Sequence, residues 1–229
     1  MKRISLLLAG VLALALVAGC GGQAKPDAPA AATPPKTEQT APPAGTGSEK
    51  PADANGTFAI TAQESVASYA VKEKFLQQNL NGEAVGKTSV INGTLVLTGG
   101  SFSTSKVTVD VSTLKSDKEK RDDVLKTRAL ETAKYPTAEF EVTGVEGPAP
   151  AFAEGRETAF KLKGNLTVHG VTKPVIWEAA ATLTGTTLNL KAKIGFKMSE
   201  FAIEPPNVLN LISVDDTVQL TVDLKASKR

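Results

Sequence analysis

From residue 57 to the C-terminus, apolar and polar positions alternate with a period of two in run after run. Phe58 and Ile60 are followed by Ala67, Tyr69 and Val71, then by Ile91, Leu95 and Leu97, where Val90 and Val96 blur the alternation. Val107, Val109 and Val111 alternate with Thr108, Asp110 and Ser112. Further on come Phe140 and Val142, then Phe160, Leu162, Leu166 and Val168, then Val175, Trp177, Ala179 and Ala181. Leu188, Leu190, Ala192, Ile194 and Phe196 form the next run, and Val218, Leu220, Val222 and Leu224 the last. Each run predicts a strand with one apolar and one wet face, as antiparallel sheets have. Val168-His169-Gly170-Val171 predicts a two-residue hairpin, with His-Gly where positive φ is needed. Eight or more strands in a meander must roll up to remove their edges, giving a barrel or a sandwich. An eight-stranded barrel has room for side chains or one small ligand. Its inner faces here carry many Val and Ala and few aromatics, which leaves space.

The pattern changes once, in residues 116–140. Ser116 followed by Glu119 predicts a capping box, and Asp117 places negative charge where the helix dipole favours it. Val124, Leu125 and Arg128 share one face, so the helix has a thin apolar edge. Pro136 pushes Tyr135 into an extended conformation and ends the helix before it. One short helix among strands reads as a lid or plug.

The N-terminus follows other rules. Lys2 and Arg3, an apolar stretch from Leu6 to Val17 and the small Ala18-Gly19 predict a signal peptide over residues 1–19. Val17-Ala18-Gly19-Cys20 resembles a lipobox, so Cys20 is expected to be lipidated. An envelope location, anchored to a membrane on its extracytoplasmic face, follows. Cys20 is the only cysteine, which excludes an intramolecular disulfide. Residues 20–56 lack periodic apolar positions and predict a tether of about 35 Å as a coil to about 110 Å fully extended. Residues 57–229 form the body. The chain has 26 Lys+Arg against 24 Asp+Glu, and loss of Lys2 and Arg3 leaves 24 against 24. Neutrality argues against nucleic acid, which requires a basic face.

Candidate chemistry is sparse. His169, the single histidine, sits in a turn with no marked partner. Asp122-Asp123 and Asp215-Asp216 are adjacent carboxylates that point apart on a helix or strand. No phosphate loop, G-x-S-x-G or metal-ligand spacing is present, so no catalytic residue, metal or cofactor is expected. The asparagines of three N-x-T sequons (Asn55, Asn92 and Asn165) carry no weight in a bacterial lipoprotein. Residues 209–214 (LNLISV) predict either a short strand or flap packed on the core or an apolar rim at a cavity mouth.

Four segments together resemble the YceI family, exported lipocalin-like proteins that bind polyisoprenoid and related lipids. They are Glu83-Ala84-Val85-Gly86-Lys87-Thr88 with Asn92-Gly93; Lys120-Arg121-Asp122-Asp123-Val124-Leu125 with Lys134-Tyr135-Pro136-Thr137-Ala138-Glu139-Phe140; Gly164-Asn165-Leu166-Thr167-Val168-His169-Gly170-Val171-Thr172-Lys173; and Val214-Asp215-Asp216-Thr217-Val218-Gln219-Leu220. Two places depart: Met198-Ser199-Glu200-Phe201-Ala202 stands where the family reads Arg-Ser-Asp-Phe-Gly, and Val124 stands where a histidine is common. The resemblance implies an all-β, antiparallel, lipocalin-like eight-stranded barrel with the short helix as lid. A long apolar lipid, such as a polyisoprenoid, quinone or fatty chain, would occupy it for transport, storage or stress response. The expected lining is Val71, Val109, Val124, Leu125, Tyr135, Phe140, Phe160, Leu162, Leu166, Trp177, Leu190 and Phe201. A structural lipoprotein with a filled barrel is the alternative, and a lipid-modifying enzyme would need a titratable pair inside the cavity.

Overall fold

The alternating runs become eleven strands of one antiparallel sheet. The computed structural model describes residues 50–75, 78, 80–208 and 212–229, so the signal sequence, Cys20, the tether to residue 49 and residues 209–211 lie outside the described residues. The strands are β1 (Gly56–Ile60), β2 (Val66–Phe75), β3 (Leu80–Thr88), β4 (Ile91–Thr98), β5 (Ser101–Asp110), β6 (Thr137–Glu146), β7 (Glu157–Val168), β8 (Val171–Thr184), β9 (Thr187–Lys197), β10 (Asn207–Val208) and β11 (Ile212–Lys228). Eight of them close a barrel in the order β1-β4-β5-β6-β7-β8-β9-β11, with β11 pairing back to β1. Among the described residues the fold is therefore all-β, an antiparallel eight-stranded barrel with one short α-helix, α1 (Glu119–Val124).

The seventeen-residue β11 is long enough to hold two neighbours on one edge. Its first part, to Asp223, pairs with β2, and Ala226 to Lys228 pair with β1. β1 and β2 are one path bent at a 3-10 turn, Ala62–Glu64. Ser65, fully buried at the bend, donates from Oγ to Thr61 O (2.8 Å) and accepts from Lys225 N (3.1 Å). β1 then pairs with β4 and seals one end, whereas β2 pairs with β3 and diverges. The segment carrying α1 occupies the resulting split. Lys87 and Lys115 exchange two backbone hydrogen bonds (2.8 and 3.0 Å), and Val111 N donates to Pro136 O (2.9 Å).

Two expectations about boundaries change. The body begins before residue 57: Pro51 bridges Ala153, Ala52 N donates to Phe152 O (3.0 Å), and Ala54 is buried. Small apolar side chains there fit against the sealed end, where a polar tether would not. The capping box is also not formed. Lys118 takes the N-cap position without a side-chain bond, and Ser116 uses both N (2.9 Å) and Oγ (2.6 Å) on the Asp122 carboxylate instead of partnering Glu119. After Val124 the helix widens into a π turn, Leu125–Ala129, closed by Leu130 N to Leu125 O (2.8 Å).

Parity along β5 shifts where a bulge lies opposite Thr94 and Val96. Thr104 takes φ 42, and Ser105 Oγ accepts from Val96 N (2.8 Å). Phe102 and Val107, five residues apart, consequently both point inward. Phe102 stacks on Phe160 (5.2 Å between centroids), and Phe152 meets both edge-on. The Val168–Val171 hairpin forms as expected, with His169 at φ 51 and Gly170 at φ 74.

Candidate ligand-binding cavity

The sealed end is packed, and above it the barrel is hollow. A small compartment of about 100 Å³ lies at mid-barrel, lined by Leu95, Val107, Val109, Phe140, Val142, Leu162, Leu166, Trp177, Leu190 and Leu224 among others. A larger one of about 840 Å³ lies under the split, between β2, β3, the start of β11 and the α1 segment. Val111, Leu114, Ala138 and Leu220 line both, so the two meet at a shared waist. The larger volume lies within the roughly 300–1,000 Å³ typical of ligand sites.

Of the residues expected to line a cavity, Val71, Val124 and Leu125 line the larger compartment. Val109, Phe140, Leu162, Leu166, Trp177 and Leu190 line the smaller. Three line neither and are corrections. Phe160 is drawn into the aromatic cluster with Phe102 and Phe152 below the cavity. Tyr135 lies on the β7–β8 hairpin, 4.7 Å from the His169 ring, where only glycine at position 170 leaves room for it. Phe201, in the 3-10 turn Met198–Phe201, is buried against Phe196 at 4.6 Å, and Phe196, Met198 and Ile203 take the lining positions. Within the LNLISV segment, Ile212 and Val214 line the larger compartment. Val124, at the departure from the family's histidine, does so too.

The adjacent carboxylates are structural. Asp122 holds Ser116, Asp215 Oδ1 accepts from Thr217 N (2.7 Å) at a bulge in β11, and Asp216 accepts from Ser199 N (2.9 Å) and Oγ (2.6 Å). His169 Nε2 meets Glu131 Oε2 at 2.7 Å, tying the chain after α1 to the hairpin.

The polar feature that sequence reading passed over is on β2. The inward phase of that strand runs Ala67, Tyr69, Val71 and then Glu73, a carboxylate in an apolar register. Glu73 is 6% exposed and lines the larger compartment. Arg121 of α1 reaches it with two parallel bonds, Nε to Oε1 (3.0 Å) and Nη2 to Oε2 (2.9 Å). Arg121 also pairs with Asp117 through Nη1. Its hydrogen bonds to Glu73, more than any other contact, hold the guanidinium above its ordinary pKa. Tyr69 stands two positions along the same face, its ring laid across Gly86 of β3, where a Cβ would come within 2.2 Å. Burial pushes its phenol up to about 12. A charge in the inward phase of an otherwise apolar strand was the available signal.

A family model described as a YceI-like domain matches residues 58–226. A UPF0312 protein of Pseudomonas fluorescens is 32% identical over 157 residues, which is 62% of this chain and 76% of the relative. A solved polyisoprenoid binding domain from Saccharophagus degradans, implicated in plant cell wall breakdown, is similar with a TM-score of 0.61 at 17% identity, over 75% of this chain and 98% of that one. BcnA of Burkholderia cenocepacia is similar with a TM-score of 0.56 at 18% identity, over 73% and 99% of the two chains. At these identities the structural likeness speaks for the fold.

Proposed function

The chain belongs to the YceI-like family, and from that premise we propose that it holds one long apolar lipid, of polyisoprenoid or similar chain type, in the barrel. The observation that carries this reading is the pair of joined compartments, walled by Val, Leu, Ile and aromatic side chains and roofed by α1. Each buried CH₂ of a tail contributes about 0.8 kcal/mol, less the cost of ordering the chain and the lid. The tail enters the narrow compartment and the head stays under α1. Residues 1–20 extend the proposal: a lipidated Cys20 would keep the barrel at a membrane that supplies the lipid.

The test is mass spectrometry of lipids that co-purify with the protein expressed without residues 1–19, set beside Leu162→Trp. A near-stoichiometric long-chain lipid in the wild type and its loss from a folded Leu162→Trp are expected, because the indole fills the narrow compartment. Loss of stability instead, by about 1–3 kcal/mol of overpacking, with no lipid in either protein, would make this a filled barrel.

A further inference from the structure

We propose that the mouth of the larger compartment selects a lipid whose head is uncharged and accepts a hydrogen bond, as an alcohol or ketone does, over the same chain carrying a phosphate. The inference rests on the lipid-binding reading above and names the class of head group.

Three observations carry it. The first is the charge at the mouth. Glu73, Asp117, Glu119 and Asp123 line the larger compartment against Lys118, Lys120 and Arg121, four carboxylates to three cations. Arg121, the cation best placed to clamp a phosphate, already donates twice to Glu73 and once to Asp117. An arriving phosphate would have to displace a buried carboxylate, leaving Glu73 unpaired at 6% exposure.

The second is the charge at the start of α1, a helix of six residues and too short to seat an anion by itself. Glu119 and Asp122 stand in its first turn, and the Asp122 carboxylate is already bonded to Ser116. This negative charge adds to the carboxylates at the mouth.

The third is Tyr69. It is 8% exposed and lines the larger compartment, and among the described residues its hydroxyl has no hydrogen-bond partner. The hydroxyl opens on the compartment without a protein partner, so it gains a bond when an acceptor binds there. The phenol keeps its proton at any physiological pH, being pushed up to about 12, so it is a donor. A hydroxyl or carbonyl oxygen accepts that bond without displacing Glu73 from Arg121.

The experiment compares three probes sharing a twenty-carbon branched chain: phytane, geranylgeraniol and geranylgeranyl phosphate. Trp177, the only tryptophan and part of the narrow compartment, reports occupancy by its fluorescence. Geranylgeraniol should bind at least tenfold more tightly than geranylgeranyl phosphate. Tyr69→Phe keeps the ring over Gly86 and removes only the hydroxyl, and its melting point near neutral pH checks the fold. It should weaken geranylgeraniol about threefold to tenfold more than phytane, the worth of one hydrogen bond. Equal or tighter binding of the phosphate, or equal weakening of all probes by Tyr69→Phe, overturns the head-group assignment while leaving the lipid reading intact. If none of the three probes binds, the lipid reading itself fails.

Discussion

Arg121→Met isolates the roof of the cavity from its walls. Methionine keeps much of the stem that covers apolar surface and removes the guanidinium, so Glu73 is left 6% exposed without its two donors. Removing one partner of a buried pair costs about 3–5 kcal/mol. Arg121 is 20% exposed and the compartment is open under α1, which places this case near the lower figure, about 3 kcal/mol. For a domain of this size that lowers the melting temperature by roughly 6–12 °C. Replacing both partners, with Glu73→Leu added, should restore stability to within about 1 kcal/mol of the wild type. Urea unfolding of the wild type, both singles and the double at pH 7 measures all of this. A cost below about 1 kcal/mol for Arg121→Met would refute the reasoning and class the pair as a screened surface bridge.

Ala202 takes φ 56 and ψ 27 after the Met198–Phe201 turn, so Ala202→Gly should relieve left-handed strain and stabilise by about 1 kcal/mol, read as a rise in melting temperature. Tyr69 carries a folded-state pKa of about 12 against an ordinary 10.0, so the stability it contributes is complete below pH 10 and lost by pH 12. Tyr69→Phe should flatten that alkaline fall, and an unchanged pH profile would contradict a buried phenol. Cys20→Ala should move the protein out of the membrane fraction, whereas an unprocessed, still membrane-bound variant would point to an uncleaved anchor.

Strand parity was legible because a period of two is written residue by residue: Leu162 and Leu166 point inward just as their alternation with Lys161, Lys163 and Asn165 requires. Parity failed where the register itself shifts. Phe102 lies across the bulge at Thr104, and nothing local in a run of Ser and Thr marks it. Phe160 has inward parity but lies below the cavity, because strand alternation gives the face of a residue and not its height in the barrel. Tyr135 and Phe201 were misplaced for a related reason: both sit in connections, where orientation is set by tertiary partners, the His169 hairpin for one and Phe196 for the other. The Glu73–Arg121 pair joins residues 48 apart on different elements, so only the oddity of a carboxylate in the inward phase of β2 was visible.

The long strand β11 carries a further consequence. From Thr217 to Ser227 one edge is held by β9, while the other passes from β2 to β1 at the bend around Ser65. The two ends of one strand therefore belong to different cooperative units. Amides near Ala226 sit in the sealed, fully packed end and should exchange with solvent hydrogen only when the whole barrel unfolds. Those between Val218 and Asp223 that bond to β2 require only that β2, β3 and the α1 segment lift away together. Opening of the cavity and global unfolding would then proceed separately, so variants that hasten release of the lipid proposed above need not shorten the lifetime of the folded protein.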